Sequence, residues 1–236
     1  CKHIMASAVE HDSVLDAVDS IERLKVDENG LIDIAAFGER LDQADGQVLV
    51  SIMLANNETG VIQPISELSK IARRYGAFLH TDAVQACGKI VFDKATLGVD
   101  FISLSAHKIG GPQGVGALIV SEDVAISSHI KGGGQERGRR AGTENLPGIA
   151  GFGVAGEIAG AFSNVAQVRK LRDRLEASIK KITPEAVVYG ENVDRLPNTS
   201  SIFMPGVKSE TQIMKFDLKG IMISAGSACS SGKVQS

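Results

Sequence analysis

Val48-Leu49-Val50-Ser51-Ile52-Met53-Leu54-Ala55, followed at once by Asn56-Asn57-Glu58, is the stretch that decides the fold. Apart from Ser51 the run is apolar, and it is too short for a typical helix, so it reads as a strand buried on both faces. The carboxamides and carboxylate at its end mark where the chain leaves the core. The same pattern recurs downstream. Pro64 opens a helical stretch and Gly76 closes it. Ala77 to Thr81 forms a short strand that runs into Asp82-Ala83-Val84-Gln85. Val99 to Leu104 forms another, running into Ser105-Ala106-His107-Lys108, and Val115 to Val120 a third. Strands alternating with helices predict an α/β architecture, a mainly parallel central sheet covered by helices. In such sheets ligands gather beyond the carboxyl ends of the strands.

Working outward, His11 to Leu24 carries Val14, Leu15, Val18, Ile21 and Leu24 at helical spacing, which predicts a helix, and Glu28-Asn29-Gly30 is a turn. Gly132-Gly133-Gly134 and Arg137 to Gly142 form a glycine- and arginine-rich connection. Beyond it, Val165 to Ile182 predicts a charged amphipathic helix. Short strands are expected near Val187 and Ile202, a helix over Ser209 to Leu218, and a strand at Ile221-Met222-Ile223. The pattern divides the chain into a large α/β domain over 1–160 and a smaller α+β domain over 161–236.

Composition narrows the function. With 236 residues, 43% hydrophobic and 22% charged, the chain can bury a substantial core as a globular protein. A net charge of −3 gives no electrostatic footprint for nucleic acid or an anionic membrane. No apolar run approaches the length of a membrane span. The three cysteines, Cys1, Cys87 and Cys229, are odd in number and lack C-x-x-C spacing. This disfavours a disulfide framework or a zinc site and suits a reducing, cytoplasmic compartment. Cys87, between Ala86 and Gly88, reads as core. Cys229, among small polar neighbours, reads as an accessible thiol.

Taken singly, the polar residues at the strand ends are unremarkable. A lysine after a strand is usually a solvated charge, an aspartate a cap or turn residue, and a histidine such as His80 or His107 a structural hydrogen-bonder. Together they form a set suited to pyridoxal phosphate. A lysine bonds covalently to the aldehyde carbon, a carboxylate pairs with the pyridine nitrogen, a donor tunes the ring oxygen, and hydroxyl and imidazole groups hold the phosphate.

His80-Thr81-Asp82-Ala83-Val84-Gln85 and Ser103-Leu104-Ser105-Ala106-His107-Lys108-Ile109-Gly110-Gly111-Pro112 resemble the cofactor motifs of class V, fold-type-I pyridoxal-phosphate enzymes. Three further stretches resemble the class I cysteine desulfurases of the nitrogen-fixation and housekeeping iron–sulfur type. They are Glu10-His11-Asp12-Ser13-Val14-Leu15, Gly132 through Asn145, and Ser224-Ala225-Gly226-Ser227-Ala228-Cys229-Ser230-Ser231-Gly232. The resemblance implies that Lys108 holds the cofactor and shuttles protons, that Asp82 pairs with the ring nitrogen and that Gln85 bonds the ring oxygen. His11 would stack on the ring and assist proton transfer. Ser105 and His107 would bind the phosphate, and Asn57 cofactor and substrate. Thr143 would reach the phosphate of a neighbouring subunit, making the enzyme a homodimer, with Arg137, Arg139 and Arg140 near that subunit's entrance. Cys229 would take the sulfur.

The implied reaction converts L-cysteine to L-alanine and leaves a persulfide on Cys229, for delivery to an iron–sulfur scaffold or another sulfur-acceptor protein. Sulfur leaves only when a nucleophile accepts it, which a thiolate does well near neutral pH. The family's pattern continues past both ends of this sequence, with a phosphate-binding turn upstream and a substrate-carboxylate arginine downstream. Either the chain is a fragment of a longer protein or the remainder is a separate polypeptide. Two rivals stay open: another class V enzyme such as a selenocysteine lyase or aminotransferase, and a non-catalytic fragment.

Overall fold

The computed structural model describes residues 1–160 and 164–225. Its centre is a six-stranded sheet of β1 (His3–Ser7), β2 (Glu22–Leu24), β3 (Val48–Ser51), β4 (Phe78–Asp82), β5 (Phe101–Ser105) and β6 (Gly116–Val120), in the order β2-β1-β3-β4-β5-β6. Every neighbouring pair is parallel except β5 with β6, which is antiparallel. The mainly parallel α/β fold expected from the sequence is the fold observed.

Strand register separates two faces. On one, Met5, Val50, Leu79 and Ile102 are essentially fully buried beneath α2 (Ile34–Asp42), α3 (Ile65–Arg74) and α4 (Lys94–Leu97), which contribute Phe37, Leu41, Leu68, Ala72 and Leu97 to the main core. Asp33 caps α2, its Oδ1 accepting from the backbone N–H of Ala35 and Ala36 at 3.0 and 3.1 Å. The opposite face carries an edge-to-face pair, Phe78 and Phe101, with centroids 6.2 Å apart. Next along the strands come Ser51, His80 and Ser103, and then Asp82 and Ser105 at the carboxyl end. The His80 imidazole bridges Ser51 Oγ at 2.7 Å and Ser103 Oγ at 2.8 Å, tying β3, β4 and β5 together in the structural role its sequence context suggested.

α5 (Leu146–Ala159) packs beside the 3-10 turn Ala106–Ile109. α6 (Val165–Ile182) and α7 (Ser209–Asp217) flank a two-stranded antiparallel sheet of β7 (Val187–Val188) and β8 (Ile202–Phe203). A buried ion pair anchors this region. Arg195 meets both oxygens of Glu176 at 2.8 Å, and Ser200 Oγ donates to Glu176 Oε1 at 2.7 Å. The backbone beside Arg195 is stitched to the turn after β3, with Ile62 N–H donating to Asp194 O at 2.9 Å and Leu196 N–H to Gly60 O at 2.8 Å. No helix among the described residues is long and apolar enough to cross a membrane.

Three expectations need correction. The helix predicted over His11 to Leu24 is one turn, α1 (Asp12–Leu15), which buries no residue. Glu22 and Leu24 instead pair with Met5 and Ser7, because the open edge of β1 satisfies their backbone groups and Leu24 reaches the core. Ile221-Met222-Ile223 is not a strand; Met222 is 94% exposed, and no described edge offers it a ladder partner. Cys87 is half-buried rather than core.

Candidate active site

The turns that follow β3, β4 and β5 meet at the carboxyl end of the sheet. They enclose a cavity of about 240 Å³ lined by His11, Ser13, Met53, Ala55, Asn57, Asp82, Val84, Gln85, Ser105, His107 and Lys108. Of the residues singled out from sequence, His11, Asn57, Asp82, Gln85, Ser105, His107 and Lys108 therefore share one wall. Thr143 is exposed in the loop before α5 and is not among the lining residues. Cys229 lies outside the described residues.

Local chemistry fixes each side chain. After β3 the chain turns around Asn56, whose Oδ1 accepts from the N–H of Glu58 and Thr59, both at 2.9 Å, while its Nδ2 donates to Val9 O at 3.0 Å. Asn56 is thus consumed in building the turn, and Asn57 is left to face the cavity. Asp82 ends β4, and its Oδ1 accepts from the N–H of Val84 at 2.8 Å. Ser105 ends β5, its Oγ 2.8 Å from His107 Nδ1, so the two groups expected at the phosphate already touch. Lys108 follows in the 3-10 turn Ala106–Ile109. His11 is the N-cap of α1, and its Nδ1 accepts from the N–H of Ser13 at 3.1 Å. That bond makes Nδ1 the acceptor, so the neutral ring carries its proton on Nε2.

One important residue escaped the sequence reading. Glu10 is only 6% exposed; its Oε1 accepts from the N–H of Met53 at 2.5 Å, and its Oε2 has no hydrogen-bond partner among the described residues. Burial, reinforced by the nearby charge of Asp82, pushes its carboxyl up to about 8. Its position immediately before His11 was the available signal. Glu10 also lines a second cavity of about 260 Å³ that shares His11 and Asn57 with the first. Burial likewise pushes the Cys87 thiol up, with the charge of Lys89 opposing, which suits Cys87 poorly to act as a thiolate at neutral pH.

One amine, one carboxylate, carboxamides, imidazoles and hydroxyls around a single cavity match the demands of a phosphorylated pyridine aldehyde. The neutral amine can bond the aldehyde carbon, the carboxylate can hold a proton on the ring nitrogen, and the Ser105–His107 pair can donate to phosphate.

A family model described as aminotransferase class-V matches residues 2–235. A cysteine desulfurase of Cereibacter sphaeroides is 45% identical over 242 residues, covering 99% of this chain and 62% of that protein. The cysteine desulfurase NifS of Azotobacter vinelandii is 40% identical, covering 99% of this chain and 60% of that protein. Among solved structures, a NifS-like protein from Rickettsia africae superposes with a TM-score of 0.88 at 41% identity, covering 95% of this chain and 64% of that one. The chain thus spans about three fifths of the length of the curated relatives it matches.

Proposed function

Because the chain belongs to the class-V aminotransferase family, we propose that its protein binds pyridoxal 5′-phosphate in the cavity between His11 and Lys108 and uses it as a cysteine desulfurase. The observation that carries this reading is the convergence of Lys108, Asp82, Gln85, Ser105, His107, His11 and Asn57 on one cavity. On this reading Lys108 Nζ holds the group covalently, and the Asp82 carboxylate holds the ring-nitrogen proton. The Gln85 carboxamide donates to the ring oxygen, and Ser105 and His107 donate to the phosphate. When bound, the group supplies an electron sink that weakens the bonds of the substrate's α-carbon.

The residues of the chain then have defined tasks. Asn57 orients the substrate L-cysteine. His11 covers the ring face and offers its Nε2 proton. Lys108 Nζ moves the proton at the α-carbon. Cys229, in its Gly-Ser-Ala-Cys setting, attacks the substrate sulfur. The carbon–sulfur bond breaks as a sulfur–sulfur bond forms: the cysteine β-carbon is reduced to the methyl group of L-alanine, and the enzyme thiol becomes a persulfide. A homodimer completed by Thr143 and a cytoplasmic setting belong to the same reading, as does a protein acceptor for the sulfur.

The test is alanine formation from L-cysteine by the whole protein, wild type against Cys229→Ser. Wild type should form alanine and carry sulfane sulfur on Cys229. The serine variant should retain cofactor and fall to background. Equal alanine production by both would move the reaction off Cys229, and selenocysteine as the sole productive substrate would favour the lyase reading.

A further inference from the structure

A carboxamide can face a cavity with its oxygen or with its NH₂, and the choice decides whether Gln85 accepts or donates there. In this fold the choice is made by a residue outside the cavity. Lys89 Nζ lies 2.6 Å from Gln85 Oε1. An ammonium only donates, so the atom it meets must be the oxygen, which leaves the NH₂ for the cavity that Gln85 lines. Successive turns bring the two together: Ala86 and Cys87 N–H both donate to Ala83 O, and Lys89 and Ile90 N–H to Ala86 O. Gly88 makes the last turn with φ +73. A Cβ there would sit 3.0 Å from Ile109 Cγ2 and 3.2 Å from Ala159 Cβ, so the backbone lies hard against the turn that carries Lys108.

This placement is electrostatically unfavourable by itself. Lys89 is half-buried, and burial together with the charge of Lys108 lowers its pKa. Among the described residues Lys89 makes no ion pair, so no carboxylate compensates it. The side-chain partner it does have is the neutral oxygen of Gln85.

We propose that Lys89 is a positioning residue: its ammonium pins the Gln85 oxygen so that Gln85 presents Nε2–H as a fixed donor to an anionic ring oxygen in the cavity. The proposal rests on the cofactor reading above. It extends the site to a residue that does not line the cavity.

A double-mutant cycle on the whole protein tests it, using the dissociation constant for pyridoxal phosphate and the acid–base midpoint of its visible band. Lys89→Met should weaken binding about tenfold, the effect of losing one hydrogen bond to a charged acceptor, and shift the midpoint. Lys89→Arg, which keeps a donor, should restore both. Placed in a Gln85→Ala background, Lys89→Met should change neither further, because its route is gone. An equal loss in both backgrounds, or no loss in either, overturns the positioning role. Where methionine is not tolerated, Lys89→Gln is compared in the same two backgrounds and read the same way. If wild type takes up no pyridoxal phosphate at all, the cofactor reading itself fails and the positioning role falls with it.

Discussion

Glu10 and Asp82 are both carboxyls near one cavity, but their surroundings differ. Asp82 is half-buried at a strand end, with an N–H donor on its Oδ1. Glu10 is buried with one oxygen unpartnered, and holding a proton at neutral pH spares Asp82 a second full charge beside it. This has a consequence for stability. The carboxyl rises from 4.5 to about 8 on folding, so the folded chain keeps a proton that the unfolded chain releases. Stability from this group is complete below the lower value and is lost as pH rises towards the higher. Each pH unit inside that window is worth at most about 1.4 kcal/mol. Glu10→Gln keeps an acceptor for the Met53 N–H and cannot ionise. Wild type should therefore lose several degrees more of melting temperature than the variant between about pH 6 and pH 9. Parallel losses would show that Glu10 does not titrate on unfolding.

At the scale of elements, the turn after β3 is held from two sides: by Asn56 within it, and by the backbone beside Arg195 across from it. Burial works against the Glu176 anion, but the hydrogen bonds from Arg195 and Ser200 prevail and hold its carboxyl below the usual range. Arg195→Leu would leave that carboxylate buried without its charge partner, a loss of about 3–5 kcal/mol. Amide exchange should then show Ile62 and Leu196 losing protection while Leu79 in β4 keeps its own. Unchanged protection at Ile62 would separate Arg195 from the Asn57 turn. The strand ends were legible in the sequence because buried parallel strands are apolar throughout and stop abruptly at polar residues, as Val48 to Asn57 does. The edge elements were less so. β2 hides inside a helical-looking stripe, because Glu22 and Leu24 take their structure from β1 and not from their own spacing. Asp33 ahead of Phe37 and Leu41 is the cap-and-stripe signal of α2. Lys89 was illegible, since only the turn over Ala83–Ile90 brings it to Gln85.

For the whole molecule, the helix-covered face of the sheet holds the main core, while the opposite face is only partly covered in this chain. α5 is apolar except at Glu157, and Leu146, Val154 and Ile158 are each more than half exposed. A helix of that composition is suited to burial all round. The purified chain should therefore associate with itself, and Leu146→Lys with Ile158→Lys should shift it towards monomer in sedimentation. A wild-type chain that stays monomeric at high concentration would show that this surface is tolerated as it stands. The sheet's carboxyl edge is the part of the molecule that sequence and structure describe alike, since residues 57 to 108 supply most of the cavity wall from three successive strand ends. Whether Lys108 holds the cofactor decides the proposed function. Borohydride reduction of the protein with pyridoxal phosphate, followed by peptide mapping, reads this directly. A stable pyridoxyl label on Lys108, absent from Lys108→Ala, is the expected result; a label confined to other lysines, or none, would contradict the proposed function.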